Sequence, residues 1–334
     1  MSADRPGPTP PPALDELRAL AESAARTGGQ TARRAFGRPL RVRLKDDLSE
    51  VTEIDIAAER AIVAHIRSRR AGDMFLSEEA GRAAPAGDPG AAPAPDRAGT
   101  PPAAGAPPRD SSPDPQSPIP GPQSVCWVID PLDGTRNYVR QLPFFACSVA
   151  ALWGGAPVAA AVFDPLHDVM YSAAQGAGLS VNGRRTLPAE AGHQVTRAGR
   201  PALLVAVPST LGPAIRHLVQ QAVERHVLRN LGSTALHLAL VATGQLDAAI
   251  LGNSRLWDVA AGVLLVVEAG RVATLPDGRP IFPVELASYA GQEIPVLAGS
   301  PTAHARLLRE SGARGAGGPV SHGFRIDRDP AAGS

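Results

Sequence analysis

WVIDPLDGT, residues 127–135, joins an apolar strand to a pair of carboxylates. The apolar run 125–129 stops at an Asp-Pro step, as a buried strand does. Asp130 and Asp133 stand three residues apart across a proline. This spacing predicts a sharp turn on which both carboxylates face one point. The Leu132 carbonyl lies between them, and such an all-oxygen set is the kind that hard cations such as Mg2+ take.

The residues after this turn are suited to an anion. Gly134 and Thr135 let the backbone approach closely, and residues 136–140 are predicted to open a short helix. Backbone N–H groups at that point would cradle a phosphate. The same residues also fit an Asx-turn in a surface loop, in which the aspartates only cap the turn.

Three further acidic sites also lie at the ends of predicted elements. Glu78 and Glu79 follow the apolar run 74–76, Asp55 lies in the first turn of a helix, and Asp258 begins an apolar helix. Each has a simpler explanation, because Asp55 and Asp258 would complement a helix dipole and the glutamates would end a solvated strand. Taken with the aspartates of 127–135, however, they make four acidic sites at element ends, which are harder to explain jointly as separate caps.

The composition is that of a globular protein without a nucleic-acid partner. The 33 Lys+Arg balance 32 Asp+Glu, so the formal net charge is only +1. Residues 1–12 lack the basic and apolar regions of a signal peptide, and no apolar run reaches the roughly 18 residues of a membrane span. Cys126 and Cys147 have no metal-binding spacing and suit a reducing compartment. We therefore expect a cytoplasmic protein without membrane contact.

Three segments have compositions that do not support a packed fold. Residues 1–12 hold five prolines, and residues 80–123 hold 13 Pro, 11 Ala and 6 Gly among 44 positions. Such tracts bury too little apolar surface to offset the entropy lost on ordering. We predict a disordered N-terminus at 1–12, a disordered insertion at 80–123 and a flexible tail at 312–334. Between them lie an N-terminal α+β metal- and phosphate-binding domain at 13–195 and a C-terminal α/β domain at 196–311.

The remaining chain predicts two successive arrangements of helices and strands. Apolar spacing predicts helices at 14–36, weakened by the pair Gly28-Gly29, and at 53–69. A meander of strands follows, and strands then alternate with helices, which indicates two joined sheets of α/β type. The predicted strands cover 125–129, 146–153, 157–163, 169–173, 178–181, 202–207, 226–231 and 248–251, and the later helices cover 212–225, 233–243 and 258–269.

Four segments in this order resemble the signature segments of the inositol monophosphatase family. They are VTEID at 51–55, FLSEE at 75–79, WVIDPLDGT at 127–135 and LWDVAAGVLLVVEAG at 256–270. The resemblance continues through VFDPLHDVMYSAAQGAGLSVNG and LGSTALHLALVATGQLDAAI. It covers nearly all of 14–300 outside the insertion.

The resemblance implies a five-layer αβαβα sandwich of the inositol monophosphatase and fructose-1,6-bisphosphatase type. It also implies a homodimer that hydrolyses small phosphate monoesters with two or three Mg2+ ions in each active site. By this resemblance, Glu78, Asp130 and the Leu132 carbonyl hold the first metal. Asp130, Asp133 and Asp258 hold the second, and Glu78 also lies near a third, weaker site.

Catalytic roles are implied by the same resemblance. Thr135 and Glu78 orient the attacking water, and Asp55 with Thr52 supports that water through hydrogen bonds. The amides of Gly134 and Thr135 take the phosphate. This chemistry suits a phosphate dianion, whose hydrolysis needs charge neutralisation more than acid–base catalysis.

The substrate-binding region departs from the family pattern. Family members that act on inositol phosphate often carry a glutamate shortly before the WD aspartate, but residues 249–257 contain no carboxylate. Arg255 could meet a second anionic group of the substrate or could be a solvated surface arginine. Ser233 and Thr234 lie where the family's substrate pocket would be, although helix capping explains Ser233 equally well.

The resulting hypothesis is a Mg2+-dependent phosphomonoesterase of a small phosphorylated metabolite, with inositol 1-phosphate or a related sugar phosphate ranked first. Fructose 1,6-bisphosphate, histidinol phosphate and 3′-phosphoadenosine 5′-phosphate are alternatives, because the same metal ligands serve all of them. A non-catalytic regulator that binds metal or phosphate is the alternative from another class. The eight histidines lack metal-binding spacing, so each is expected to be structural or exposed, with His167 at the surface.

Overall fold

The computed structural model describes residues 13–45, 50–83, 124–188 and 195–311. The predicted N-terminal segment, most of the insertion and the tail lie outside these ranges. Residues 81–83, which the composition assigned to the insertion, instead pair antiparallel with residues 75–77. Ladder hydrogen bonds to a buried strand hold them in the sheet, so an insertion can begin no earlier than residue 84.

The described residues form seven helices and seventeen strands. The helices are α1 (Leu14–Ala35), α2 (Glu53–Arg67), α3 (Thr135–Val139), α4 (Pro213–Arg225), α5 (Thr234–Thr243), α6 (Leu256–Glu268) and α7 (Pro301–Glu310). The strands are β1 (Val42–Leu44), β2 (Glu50–Thr52), β3 (Met74–Ser77), β4 (Gly81–Ala83), β5 (Cys126–Asp133), β6 (Ala146–Trp153), β7 (Ala156–Asp164), β8 (Val169–Ala174), β9 (Gly178–Val181), β10 (Arg184–Arg185), β11 (Thr196–Arg197), β12 (Arg200–Pro201), β13 (Leu204–Ala206), β14 (Val227–Arg229), β15 (Ala248–Leu251), β16 (Val272–Thr274) and β17 (Val296–Gly299).

Two large sheets organise the molecule. The first has eight strands in the order β10-β9-β8-β7-β6-β5-β3-β4, and only its β3–β5 pair is parallel. The second has five strands in the order β14-β13-β15-β17-β16. Its β14, β13 and β15 are parallel, whereas β17 pairs antiparallel with both β15 and β16. The pairs β1–β2 and β11–β12 form small separate hairpins.

Three hydrophobic clusters stack these elements in five layers. Strand β5 contributes Trp127 and Ile129 to a cluster with α1 and α2, and Cys126 and Val128 to a cluster with α5 and α6. This alternation is the two-residue period of a strand buried on both faces. A third cluster joins α4 and α7 to the far face of the second sheet. The predicted αβαβα sandwich is therefore confirmed, with α5 and α6 between the sheets.

Helix α1 runs unbroken through the glycine pair that was expected to weaken it. A methyl group added to Gly28 would lie 2.5 Å from Ile62 Cδ1, and one added to Gly29 would lie 2.5 Å from Phe163 Cδ1. The pair thus lets α1 approach both α2 and β7 closely. Close packing against those neighbours compensates for the low helix propensity of glycine.

The second half of the chain contains elements that the sequence pattern did not predict. Strand β17 inserts between β15 and β16, so the second sheet is mixed, and α7 follows it. Helix α6 begins at Leu256, two residues before the predicted start, which moves Asp258 into the first helical turn. None of the helices in the described ranges is long and apolar enough to cross a membrane.

Candidate active site

The parallel pair β3–β5 brings two acidic segments to one edge of the first sheet. Ser77 pairs with Ile129 in the ladder, and the next backbone N–H, that of Glu78, donates to the Ile129 carbonyl at 3.2 Å. The carboxyl ends of parallel strands meet at the same edge. Glu78, just past the end of β3, therefore lies beside Asp130 of β5.

An irregular register in β5 places its two aspartates together. Asp130 pairs with Ser148 and Asp133 pairs with Ala146, so three steps along β5 match two steps along β6. Regular alternation would send residues three apart to opposite faces, and the extra residue reverses this. The expected sharp turn is therefore wrong in form, because strand and bulge continue through Asp133, but the bulge achieves the same juxtaposition.

Gly134 follows the bulge in the left-handed region, with φ of 98°. A Cβ at this position would lie 2.9 Å from the Phe144 carbonyl oxygen and 3.3 Å from that of Gly232. Only glycine accepts both the conformation and the close approach of backbone. The chain then enters α3 at Thr135 rather than at residue 136, and α3 is a helix of five residues.

Asp133 is enclosed by the first turn of α5. One carboxylate oxygen accepts hydrogen bonds from the Ser233 hydroxyl and from the Ala235 N–H at 2.7 Å. The other oxygen accepts the Thr234 N–H at 3.2 Å. The Ser233 hydroxyl also accepts the Leu236 N–H at 3.2 Å, so it caps α5 and holds Asp133 at once.

Asp258 is held by the first turn of α6. Its carboxylate accepts the Arg255 backbone N–H at 2.6 Å. The Arg255 guanidinium donates to the Gly291 carbonyl, which ties the start of α6 to the 288–294 loop. Arg255 therefore has a structural partner, and its predicted contact with an anion stays a prediction.

Asp55 and Thr52 form a capping box at the start of α2. The Asp55 carboxylate accepts the Thr52 N–H at 2.8 Å and the Thr52 hydroxyl at 2.5 Å. Its other oxygen lies 3.0 Å from the Thr135 hydroxyl, which is also 3.0 Å from the Leu132 carbonyl oxygen. Because that hydroxyl has one hydrogen to donate, it links α2 to the β5 bulge through one of these oxygens at a time.

The acidic groups act on one another electrostatically. Burial raises the pKa of Asp130 and of Asp258 well above the usual range, and the nearby charge of Glu78 raises both further. Burial also raises the pKa of Asp133 to about 6, against the opposing effect of its Ser233 hydrogen bond. Asp55 has a raised pKa for the same main reason. The negative charges thus oppose one another in a place that water reaches poorly.

Three residues that the sequence analysis left without a role belong to this site. Lys45 donates to Glu78 at 2.7 Å and to Glu79 at 2.8 Å. Burial raises the pKa of Glu79 to about 7, together with the charge of Glu78, although Lys45 opposes the shift. Glu59, buried on α2, accepts the Glu79 N–H at 3.1 Å. Lys45 lies between two patterned segments, so nothing in the sequence singled it out, whereas Glu79 was named beside Glu78 as an acidic residue but received no role of its own.

The donor chemistry fits a hard cation, but the side chains do not enclose one. Within the described ranges, no group of three or more His, Cys, Asp or Glu side chains is arranged to hold a metal ion. Glu78 faces Lys45, Asp133 faces α5 and Asp258 faces the Arg255 N–H. All available ligands are oxygens, which Mg2+ prefers, and the carboxylates among them repel one another. The predicted ligand set adds the Leu132 carbonyl oxygen to these carboxylates.

Among the residues that the structure describes, no histidine bonds to the acidic side chains of this site. His167 is exposed and bonds to Asp164 at 2.8 Å in a turn, as expected for a surface residue. His226, His237 and His304 are buried in structural contacts.

Known proteins match this chain over most of its length. Residues 13–314 match the inositol monophosphatase family. The Nus factor SuhB of Salmonella typhimurium is 31% identical over 260 residues, which cover 76% of this chain and 83% of that protein. The Nus factor SuhB of Xylella fastidiosa is 39% identical over 154 residues, covering 45% of this chain and 54% of the relative, so that match spans about half its length.

Solved structures have the same fold. The extragenic suppressor protein suhB of Bartonella henselae is 25% identical with a TM-score of 0.68, over 89% of this chain and 98% of that one. An IMPase from Thermotoga maritima is 23% identical with a TM-score of 0.66, over 90% and 97%. At that identity the second likeness shows the fold alone. Residues 13–314 match the family, and the Salmonella typhimurium relative aligns with 76% of this chain at 31% identity. The chain therefore belongs to the inositol monophosphatase family.

Proposed function

We propose that the chain is a Mg2+-dependent phosphomonoesterase that hydrolyses a small phosphorylated metabolite. The observation that carries the proposal is the convergence of four acidic residues from the end of β3, strand β5 and helix α6, namely Glu78, Asp130, Asp133 and Asp258. Burial and mutual repulsion raise the pKa of the three aspartates, so the unliganded arrangement is electrostatically unfavourable. Acidic groups gathered at this cost, in a member of this family, indicate a cation site.

Mg2+ would supply charge neutralisation and activation of the attacking water, with Glu78, Asp130, Asp133, Asp258 and the Leu132 carbonyl as its ligands. The chain's own residues would position the phosphate and the attacking water. The Gly134 and Thr135 amides, at the start of α3, would bind the phosphate oxygens. The Thr135 hydroxyl lies 3.0 Å from an Asp55 carboxylate oxygen, so Asp55 would fix this hydroxyl in the position from which it orients the water.

The substrate is proposed as inositol 1-phosphate or a related sugar phosphate. Ile250 and Leu251, which stand in the region where a family glutamate would contact sugar hydroxyls, are fully buried in β15 and cannot do so. Thr234 and Arg255 are therefore the proposed substrate contacts, whereas the predicted contact through Ser233 is not supported, because its hydroxyl is buried and bonded to Asp133 and to the Leu236 N–H. Fructose 1,6-bisphosphate, histidinol phosphate and 3′-phosphoadenosine 5′-phosphate stay within the proposal, since the acidic site does not distinguish among them.

The test is phosphate release from these four metabolites, measured with Mg2+ and with EDTA. We expect release from at least one substrate that depends on Mg2+ and is lost with EDTA. A mock preparation that lacks the protein is the control, because any release that it shows comes from a contaminating phosphatase. No release from any substrate, with Mg2+ still bound, would contradict the enzyme proposal.

A non-catalytic regulator is the second candidate, and the name of the relatives favours it. Both relatives described above are named Nus factors, not phosphatases. That name also weighs against the expectation that this chain has no nucleic-acid partner. The same metabolite panel separates the two candidates, because a regulator would retain the metal site without turnover.

A homodimer and a cytoplasmic location remain part of the proposal. Both were inferred from the family resemblance and from the sequence composition. Light scattering on the purified full-length chain would test the first, with twice the monomer mass expected. A monomer at micromolar concentration would contradict it.

A further inference from the structure

We propose that Glu59 is a positioning residue, which fixes the backbone around Glu78 and thereby sets the affinity of the acidic site for metal. This inference rests on the proposed function, since it concerns the same site. Glu59 belongs to no segment that the family resemblance singled out. Only 6% of the surface of Glu59 is exposed, and a buried carboxylate needs hydrogen-bond donors.

The donors to Glu59 lie on both sides of Glu78. The Glu79 N–H donates to it at 3.1 Å, and the Ala80 N–H and the Ser77 hydroxyl are further hydrogen-bond donors. Residues 77, 79 and 80 thus share one acceptor, while the Glu78 N–H itself donates to Ile129. Four consecutive residues are held in place, and Glu78 has little freedom except in its own side chain.

The position of Glu59 on α2 gives this contact its significance. Glu59 follows Asp55 by four residues, so both carboxylates lie on one face of the helix, about one turn apart. Asp55 reaches the β5 bulge through Thr135, and Glu59 reaches the end of β3. Helix α2 therefore contacts both the end of β3, next to Glu78, and the β5 bulge, which contains Asp130. Because the helix is rigid, it fixes the separation of these two residues.

Two substitutions distinguish a role of the Glu59 charge from a role of the Glu59 position in metal binding. Glu59→Gln removes the charge and places an amide N–H2 among the donors. Glu59→Asp keeps the charge but withdraws the carboxylate by one methylene, about 1.5 Å. If only the negative charge matters, Glu59→Asp binds metal as the wild type does. If position matters, both variants weaken binding.

The experiment is Mg2+ binding by calorimetry and Mn2+ binding by electron paramagnetic resonance, on the full chain without substrate. We expect Glu59→Asp and Glu59→Gln each to raise the dissociation constant about 10-fold, as loss of a group that orients a ligand does. Glu224→Asp and Glu224→Gln, at an exposed site on α4, are matched controls and should not change it. Unfolding midpoints of the metal-free variants are measured in parallel, since a merely structural role lowers the midpoint but leaves the affinity unchanged.

Ser77→Ala keeps the inference testable if both Glu59 variants fail to fold. It removes one donor without altering charge, so it should weaken metal binding by a smaller factor. Wild-type metal affinity in Glu59→Asp overturns the inference. If both Glu59 variants are unfolded, wild-type metal affinity in Ser77→Ala overturns it instead. In either case the proposed function is unaffected. Absence of metal binding by the wild-type chain overturns both.

Discussion

Asp133 accepts hydrogen bonds from the first turn of α5 while its charge repels those of its acidic neighbours. The helix N-terminus carries partial positive charge, which favours the ionised carboxylate. Burial acts in the other direction and is the larger effect, since the pKa of Asp133 is raised to about 6. This one residue therefore serves both the packing between the sheets and the proposed chemistry.

Asp133→Asn should lower turnover more than about 100-fold, because the amide removes a ligand charge that Mg2+ requires. Its oxygen can keep the Ser233 and Ala235 bonds, and the loss of the Thr234 bond is offset by relief of the charge repulsion, so stability should change by no more than about 1 kcal/mol. Phosphate release and thermal unfolding measure the two effects separately. Asp15→Asn, on the exposed start of α1, is the control. Near-normal turnover in Asp133→Asn would show that the metal assignment is wrong.

Among the helices, α1 depends on the absence of side chains at its glycine pair. Gly29→Ala gains about 1 kcal/mol of helix propensity, but the added methyl meets the buried ring of Phe163. Overpacking of this kind costs about 1–3 kcal/mol, so we expect a net loss of about 1 kcal/mol. Urea unfolding measures it. Gly72→Ala, with no atom within 4 Å of the added methyl, should change stability little, and a stabilised Gly29→Ala would contradict the packing argument.

Helix α5 carries a buried histidine that makes the fold sensitive to acid. His237 accepts the Leu231 N–H at 2.9 Å, and burial lowers its pKa to about 4. Below its unfolded pKa of about 6.5 the unfolded chain takes up a proton that the folded chain refuses, so stability is lost as the pH falls from 6.5 towards 4. The loss between pH 7 and pH 5 should be about 2 kcal/mol for this residue.

His237→Gln tests this, because its amide oxygen can accept the same N–H without titrating. Urea unfolding at pH 7 and pH 5 should show a smaller loss in the variant than in the wild type. The raised pKa values of the buried aspartates act in the opposite direction, so the difference between the two proteins is the informative quantity. His217→Gln, at an exposed position of α4, should leave the pH dependence as it is. Equal losses in wild type and His237→Gln would contradict the assignment.

For the whole molecule, the segment between β4 and β5 is predicted to be dispensable. The two strands flank β3 in the first sheet, so about 10 Å separates them, and a short Gly/Ser linker of about six residues can span it. Replacing residues 84–123 with that linker should raise stability by about 1.5 kcal/mol through a shorter loop, with turnover unchanged. Calorimetry and phosphate release check both. Loss of folding would show that the segment packs against the domain.

Much of this architecture follows from local sequence. The apolar run that begins β5, the apolar face of α2 and the loop between β15 and α6 can each be recognised without coordinates, because local periodicity and turn chemistry determine them. The acidic residues of the site were recognisable for a related reason, since each stands at the end of such an element. Lys45 and Glu59 were not, because their roles arise from contacts with residues distant in sequence.

By itself, the sequence determined the family, the order of most elements and the identity of the acidic residues. Tertiary structure decided how those residues meet. Strand register determines the bulge that brings Asp133 to the side of Asp130. Helix packing determines the hydrogen bonds from α5 to Asp133 and the contacts of α2 with the end of β3 and with the β5 bulge. These are set by contacts between residues tens of positions apart, which local patterns do not encode.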